Sequence, residues 1–272
     1  MSEPSTVVVS GAFDDIKSAD LRLLWEAAKL GELTVLLWPD AMIERLTGHA
    51  PKFPLAERRY FLEAVRYVKQ VVVTAENTSP NDLPDGLAAA IWADEPRTAN
   101  LFRRANAAAR GIRYREFTSG ELAGFPNPPP LPTAPGRKKV VATGCYDWFH
   151  SGHVRFTEEA SAYGDLYVCL GSDANVRQLK GDGHPLLCEE ERRFVVGSIK
   201  HVKQALINSG FGWLDADPEI RQLKPDYYIV NEDGDKGGKR EYCAERGIEY
   251  VVLQRTPAPG LQRRSSTDLR GF

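Results

Sequence analysis

The chain has 272 residues, 42% of them hydrophobic and 26% charged, with a formal net charge of -2 at pH 7. That length accommodates two ordinary domains with a core each, and that balance excludes a wholly disordered chain and gives no electrostatic reason for a nucleic-acid or anionic-membrane partner. No apolar run approaches the ~18 residues needed to span a bilayer, and Met1 to Thr6 lack a basic-then-apolar leader, so a cytoplasmic location without membrane insertion is expected.

In chain order, Thr6 to Ser10 (TVVVS) reads as a strand, Ala19 to Leu30 as a helix and Thr34 to Trp38 as a strand. Glu57 to Val68 follows as a helix and Gln70 to Thr74 as a strand. The second half repeats the alternation with strand Lys139 to Gly144 (KVVATG), helix Val154 to Tyr163, strand Leu166 to Leu170 and helix Glu190 to Lys200. Tyr227 to Val230 and Tyr250 to Leu253 complete the set of strands. Short runs that are apolar throughout suit strands buried on both faces of a parallel sheet. Their alternation with helix-period stretches predicts α/β layering built from βαβ units. Between the halves, Pro126 to Gly136 (PNPPPLPTAPG) can continue neither sheet nor helix and reads as a stiff, extended connector. The expected organisation is one domain over 1–124, a proline-rich linker over 125–137 and a second domain over 138–272.

The halves align with each other. GAFDDIKSADLRLLWEAAKLGELTVLLWPD, from Gly11, lies over GCYDWFHSGHVRFTEEASAYGDLYVCLGSD, from Gly144, and the closing aspartates Asp40 and Asp173 fall in register. After a one-residue shift AERRYFLEAVRYVKQVVV matches EERRFVVGSIKHVKQALI, and later ARGIRY matches ERGIEY. A match this long in one register predicts a duplicated domain. The cysteines Cys145, Cys169, Cys188 and Cys243 form no CxxC pair and read as reduced thiols.

The chemistry concentrates at His150-Ser151-Gly152-His153, between the first strand and first helix of the second half. Two imidazoles three residues apart at a helix start point the same way, and the unpaired N–H groups there suit a polyphosphate. Gly152 is expected to let a phosphate approach the backbone. Imidazole donors can follow the charge that builds as pyrophosphate leaves. The plainer alternatives are two surface histidines at a helix cap, or two zinc ligands lacking further partners.

Gly144-Cys145-Tyr146-Asp147-x-x-His150-x-Gly152-His153 resembles the signature of the HxGH nucleotidyltransferases. Lys180-Gly181, Glu191-Arg192, Asn231-Glu232-Asp233, and Arg255-Thr256 followed by Ser265-Ser266-Thr267 resemble further elements of that family, in family order over the whole second half. The cytidylyltransferases for ethanolamine phosphate and glycerol 3-phosphate, and the heptose 1-phosphate adenylyltransferases, are the most similar branches. The resemblance implies two tandem Rossmann-like α/β/α domains with parallel sheets, arranged as a pseudo-dimer. It implies that His150 and His153 hold the triphosphate and stabilise a pentavalent transition state, with Lys180 and Arg192 clamping phosphates. Gly144, Cys145, Tyr146, Asp147, Gly152, Asp233, Arg255, Ser265, Ser266 and Thr267 would line the nucleotide site. Magnesium would arrive on the triphosphate, with no direct protein ligands, and the acceptor's phosphate would attack the α-phosphorus in line. One departure concerns the segment from Pro257 to Arg264, which lengthens the spacing between Arg255 and the serines and leaves Arg263 or Arg264 as alternative nucleotide contacts.

At the positions of His150, Gly152 and His153 the first half carries Lys17, Ala19 and Asp20, and Thr47 replaces Lys180. Asp20 would oppose a triphosphate, so the first half is expected to keep the fold without the catalysis. It nevertheless keeps Gly11, Asp14 and Glu57-Arg58-Arg59. The leading reading is CTP-dependent cytidylyl transfer to a phospho-alcohol or sugar phosphate. Adenylyl transfer from ATP, a coenzyme- or dinucleotide-synthesis enzyme of the wider superfamily and a non-catalytic nucleotide-binding regulator are the alternatives. The acceptor is a small phosphorylated molecule of open identity. A tandem copy removes the need for a homo-oligomer without forbidding one.

Overall fold

A computed structural model describes residues 5–265, in two compact units over 1–124 and 125–272. In the first unit β1 (Thr6–Gly11), α1 (Ser18–Ala28), β2 (Glu32–Leu37), α2 (Asp40–Thr47), α3 (Leu55–Ala64) and β3 (Val68–Val73) are followed by β4 (Ile91–Asp94), α4 (Leu101–Ala109) and β5 (Arg113–Glu116). The sheet is parallel, in the order β3-β2-β1-β4-β5. Val7, Val8 and Val9 of the central strand are buried, as a strand covered by helices on both faces requires.

The second unit runs β6 (Lys139–Gly144), α5 (Ser151–Ser161), β7 (Asp165–Leu170), α6 (Asp173–Lys180), α7 (Glu189–Gly197) and β8 (Val202–Ile207). Then come α8 (Asp217–Leu223), β9 (Tyr227–Asn231), α9 (Lys239–Ala244) and β10 (Glu249–Leu253). Its sheet is likewise parallel, in the order β10-β9-β6-β7-β8. The core on the α8 and α9 side joins Val141, Cys169, Ile220, Tyr228, Val230 and Cys243. The chain leaves β6 toward β7 on one side and later returns to β9 on the other. The crevice at the carboxyl ends of β6 and β9 is therefore the topological switch point, where ligands of open α/β sheets bind.

Corresponding features recur in the two units. Both central pairs are in register over six residues, and both second strands slip against the third at the same place, Leu33/Thr34 and Leu166/Tyr167. Phe13 and Tyr146, two residues past the ends of β1 and β6, both adopt positive φ, 47° and 56°.

The segment 125–137 packs with the second unit. The Leu131 N–H donates to the Lys203 carbonyl at 3.0 Å, and the buried Lys203 ammonium returns bonds to the Leu131 carbonyl and the Thr133 hydroxyl. Phe125 lies against Phe194 with ring centroids 6.3 Å apart. Proline density described the local backbone correctly but carried no information about these lateral partners. The helix expected over Glu57 to Val68 stops at Ala64, and the four-residue β4 was missed, because its wholly buried IWAD run is too short to carry a period.

Candidate functional site

β6 ends at Gly144, and the chain turns sharply through Tyr146 before entering α5. A Cβ on Gly144 would stand 2.7 Å from Tyr146 Cε2, so the glycine is what lets the aromatic ring fold back over the strand end. Tyr146 is buried, and burial pushes its hydroxyl pKa up. It lies edge-on to His153, with ring centroids 5.2 Å apart, and Phe149 stacks on His153 at 5.3 Å. Gly144 and Tyr146 therefore build the floor of the site. Tyr146 is buried and Gly144 partly so.

His150 is the N-cap of α5 and is 4% exposed. Its Nδ1 accepts the Gly152 backbone N–H at 3.1 Å, which satisfies one orphan donor of the helix start and leaves Nε2 to carry the ring proton. The rings of His150 and His153 stand 4.1 Å apart at 36°, so both imidazoles share one small region at the helix N-terminus. Burial holds the His153 pKa well below the ordinary imidazole value. His150 and the cations Arg255 and Lys180 push it the same way, and the Trp148 carbonyl pulls it partly back. The same influences show that Lys180, at the carboxyl end of α6, and Arg255, beyond β10, both bring positive charge to bear on His153. Gly152 also has a reason within the fold. A Cβ there would meet the His150 ring at 2.8 Å, so the glycine makes room for the imidazole.

Arg255 donates to Asp233 at 2.6 Å and to the Arg264 carbonyl at 3.0 Å, folding the lengthened loop back toward α5. Arg263 instead faces Glu232 at 3.5 Å. Arg255 thus pairs with Asp233 while its charge bears on His153. A narrow pocket beside them is lined by Gly152, Asn231, Gln254, Arg255, Thr256 and Arg264, among others. Ser265 is partly buried at the end of the described chain, and Ser266 and Thr267 lie outside the described residues.

Arg192 requires a correction. Its side chain is 0% exposed and its guanidinium is occupied within the fold. Nε donates to Leu187 O at 3.1 Å, Nη1 to Cys145 O at 2.8 Å, and Nη2 to Gly171 O at 2.8 Å and Asp173 Oδ1 at 2.7 Å. An arginine so committed has no fork to offer a phosphate. Cys145 enters this tie through its carbonyl, and its thiol is half-buried and free. Asp147 is likewise turned away from the expected role. Its carboxylate accepts the backbone N–H of Leu186 at 2.8 Å and of Leu187 at 3.0 Å, anchoring the loop after Lys180. Sequence reasoning missed Asp173 and Gly171 as parts of this tie. The signal was present, because Asp40, Glu57 and Arg58 persist in the half that lacks the histidines.

In the first unit the corresponding helix start is differently furnished. Lys17 is the N-cap of α1, and the Asp20 carboxylate accepts its backbone N–H at 2.8 Å. Arg97 stands 3.3 Å from Asp20 and 2.6 Å from Glu95. Burial raises the Asp20 pKa, while the Lys17 N–H and Arg97 oppose the rise.

Among the described residues no helix is long and apolar enough to cross a membrane. Residues 141–272 match the model of the cytidylyltransferase-like family. A FAD synthase of Ferroglobus placidus is 38% identical over 119 residues, covering 43% of this chain and 75% of that protein. The bifunctional protein HldE of Wolinella succinogenes is 38% identical over 120 residues, 44% of this chain and 24% of that protein, so the chain spans about a quarter of its length. A lipopolysaccharide core biosynthesis protein from Thermoplasma volcanium overlaps 45% of this chain and 99% of its own at 22% identity, with a TM-score of 0.38, too low to bear on function.

Proposed function

The chain belongs to the cytidylyltransferase-like family of nucleotidyltransferases, and from that premise we propose that its second unit joins a nucleoside triphosphate to a small phosphate-bearing acceptor and releases pyrophosphate. The observation that carries this is the pair of imidazole rings 4.1 Å apart at the start of α5, with the charges of Lys180 and Arg255 bearing on His153. A helix N-terminus supplies N–H donors, the two rings add donors on the same side, and the two cations complete a cradle for a polyphosphate. The acceptor's phosphate oxygen forms a bond to the α-phosphorus while the bond to the pyrophosphate oxygen breaks. His150, with its proton on Nε2, donates toward the phosphate oxygens. His153, held neutral, adds a donor without placing a fixed charge beside the other cations. Placement and charge stabilisation then carry the reaction with no covalent enzyme intermediate.

The donor enters as its magnesium complex, the ion carried by phosphate oxygens. Two donor bases are kept, each on its own observation. CTP rests on the Gly-Cys-Tyr-Asp opening and the family's description. ATP rests on relatives named for FAD, an adenine-bearing product, and these shift the weight toward adenine. The test is pyrophosphate release and product mass spectrometry with CTP, ATP, GTP and UTP against ethanolamine phosphate, glycerol 3-phosphate, heptose 1-phosphate and FMN. One donor–acceptor pair giving a nucleotidylated product supports the reading; no release with any pair rejects it.

For the first unit we read a tandem copy that has given up the site. The Asp20 carboxylate sits where an incoming phosphate would meet the amides of α1, and Arg97 neutralises it from the end of β4.

A further inference from the structure

Resting on that reading of the site, we propose that Asp147, acting with Arg192, is a positioning residue that sets Lys180 against His150 and His153 through the loop 181–188. Leu187 is held through both of its backbone polar groups: its N–H donates to Asp147 and its carbonyl accepts from Arg192 Nε. The neighbouring Leu186 N–H also donates to Asp147, at 2.8 Å to each oxygen. Arg192 extends the tie to the carbonyls of Cys145, at the end of β6, and Gly171, at the end of β7, and to Asp173 at the start of α6. The histidines follow β6 and Lys180 closes α6, so the distance between the two halves of the cradle is defined through these bonds.

The first unit contains the same device without the chemistry. Asp14 accepts the N–H groups of Lys52 at 2.8 Å and Phe53 at 2.9 Å. Arg58 donates to the carbonyls of Phe53 at 3.0 Å, Trp38 and Ala12, and to Asp40. Each donor group of the tie has its counterpart, while the 3.5 Å contact of His184 Nδ1 with Asp147 belongs to the second unit; the helix that the first tie adjoins begins with Lys17 and Asp20, and Thr47 stands at the place of Lys180. The tie therefore belongs to the architecture, and only in the second unit does it have phosphate-binding groups to align. This supplies an internal control: equal damage to the two ties costs similar bonding but has unequal consequences for the reaction.

The experiment uses the full chain carrying Asp147→Asn or, separately, Asp14→Asn, with the donor–acceptor pair that gives pyrophosphate release. Hydrogen exchange of the loop amides, melting temperature, kcat and KM for the nucleotide are measured on each. Asp147→Asn is expected to speed exchange at Leu186 and Leu187 and to lower kcat/KM about tenfold or more, since misplacement by ~1 Å can cost about a hundredfold. Asp14→Asn is expected to speed exchange at Lys52 and Phe53, lower the melting temperature comparably, and leave kcat/KM within about twofold of the parent by the same argument. Equal losses of kcat/KM in the two variants, or faster loop exchange in Asp147→Asn with unchanged kinetics, would overturn the proposal. A parent chain that releases no pyrophosphate with any pair rejects the reading of the site itself and this proposal with it, a result distinct from either outcome of the variant comparison.

Discussion

His150 and His153 acquire their protonation from different neighbours. The Gly152 N–H fixes the tautomer of His150, whereas burial and two nearby cations keep His153 neutral. Substituting either by alanine removes a donor aimed at developing phosphate charge and should cost ~2.7 kcal/mol or more of transition-state stabilisation, about a hundredfold in kcat. Unchanged kcat in both variants would reject the site. The depressed His153 pKa also has a stability consequence with a definite sign. The unfolded ring takes up a proton below about pH 6.5 while the folded ring does not. The stability this group contributes is therefore fully present above that pH and is lost as pH falls, by about 1.4 kcal/mol per unit, until the folded pKa is reached. His201, also depressed by burial, adds to the same limb. Urea midpoints between pH 7.5 and 5.5 should fall less steeply for His153→Gln than for the parent; identical slopes would show that His153 is not held neutral.

Among the elements, α5 and α7 carry the site in different ways. On the proposed reading α5 offers its N-terminus to the triphosphate, and Gly152 inside its first turn leaves space for the His150 ring. Gly152→Ala would bring a methyl within 2.8 Å of that ring and displace it from the cap, so kcat should drop with little change in helix content. Circular dichroism beside kinetics separates the two, and an active Gly152→Ala enzyme would show that the ring has room to move. α7 inserts Arg192 between strand ends. Arg192→Ala leaves the carbonyls of Cys145, Gly171 and Leu187 and the carboxylate of Asp173 without their donor. Loss of one partner from such a buried tie costs ~3–5 kcal/mol. The Asp173 side chain is 31% exposed, so the lower end is expected, read as a shift in urea midpoint. A fully stable Arg192→Ala with weakened nucleotide binding would restore the clamp role withdrawn above.

At the scale of the whole molecule, two units of the same strand order differ at the one helix start that matters. With Asp20 capping α1 and Arg97 paired to it, calorimetric titration of the full chain with magnesium-CTP or magnesium-ATP should find one nucleotide per chain. The binding should be lost in His153→Ala and retained in Asp20→Asn; two sites in the parent would reject the degenerate reading of the first unit. Much of this was legible in the amino-acid order. Strand–helix alternation follows from hydrophobic period, and the paired histidines follow from their place between a strand and a helix start, both of which are local properties. The lateral packing of 125–137, the loop anchor at Asp147 and the burial of Arg192 were not. Arg192 finds its partners at sequence separations of 5, 19, 21 and 47 residues, and whether an arginine meets a phosphate or a set of carbonyls depends on which strand ends the sheet order brings together. The sequence by itself determined the layers and the pairing of two imidazoles at the start of α5. Only the tertiary structure decided which charged groups remain available to a ligand, because a guanidinium's donors go to whatever acceptors the fold places around it.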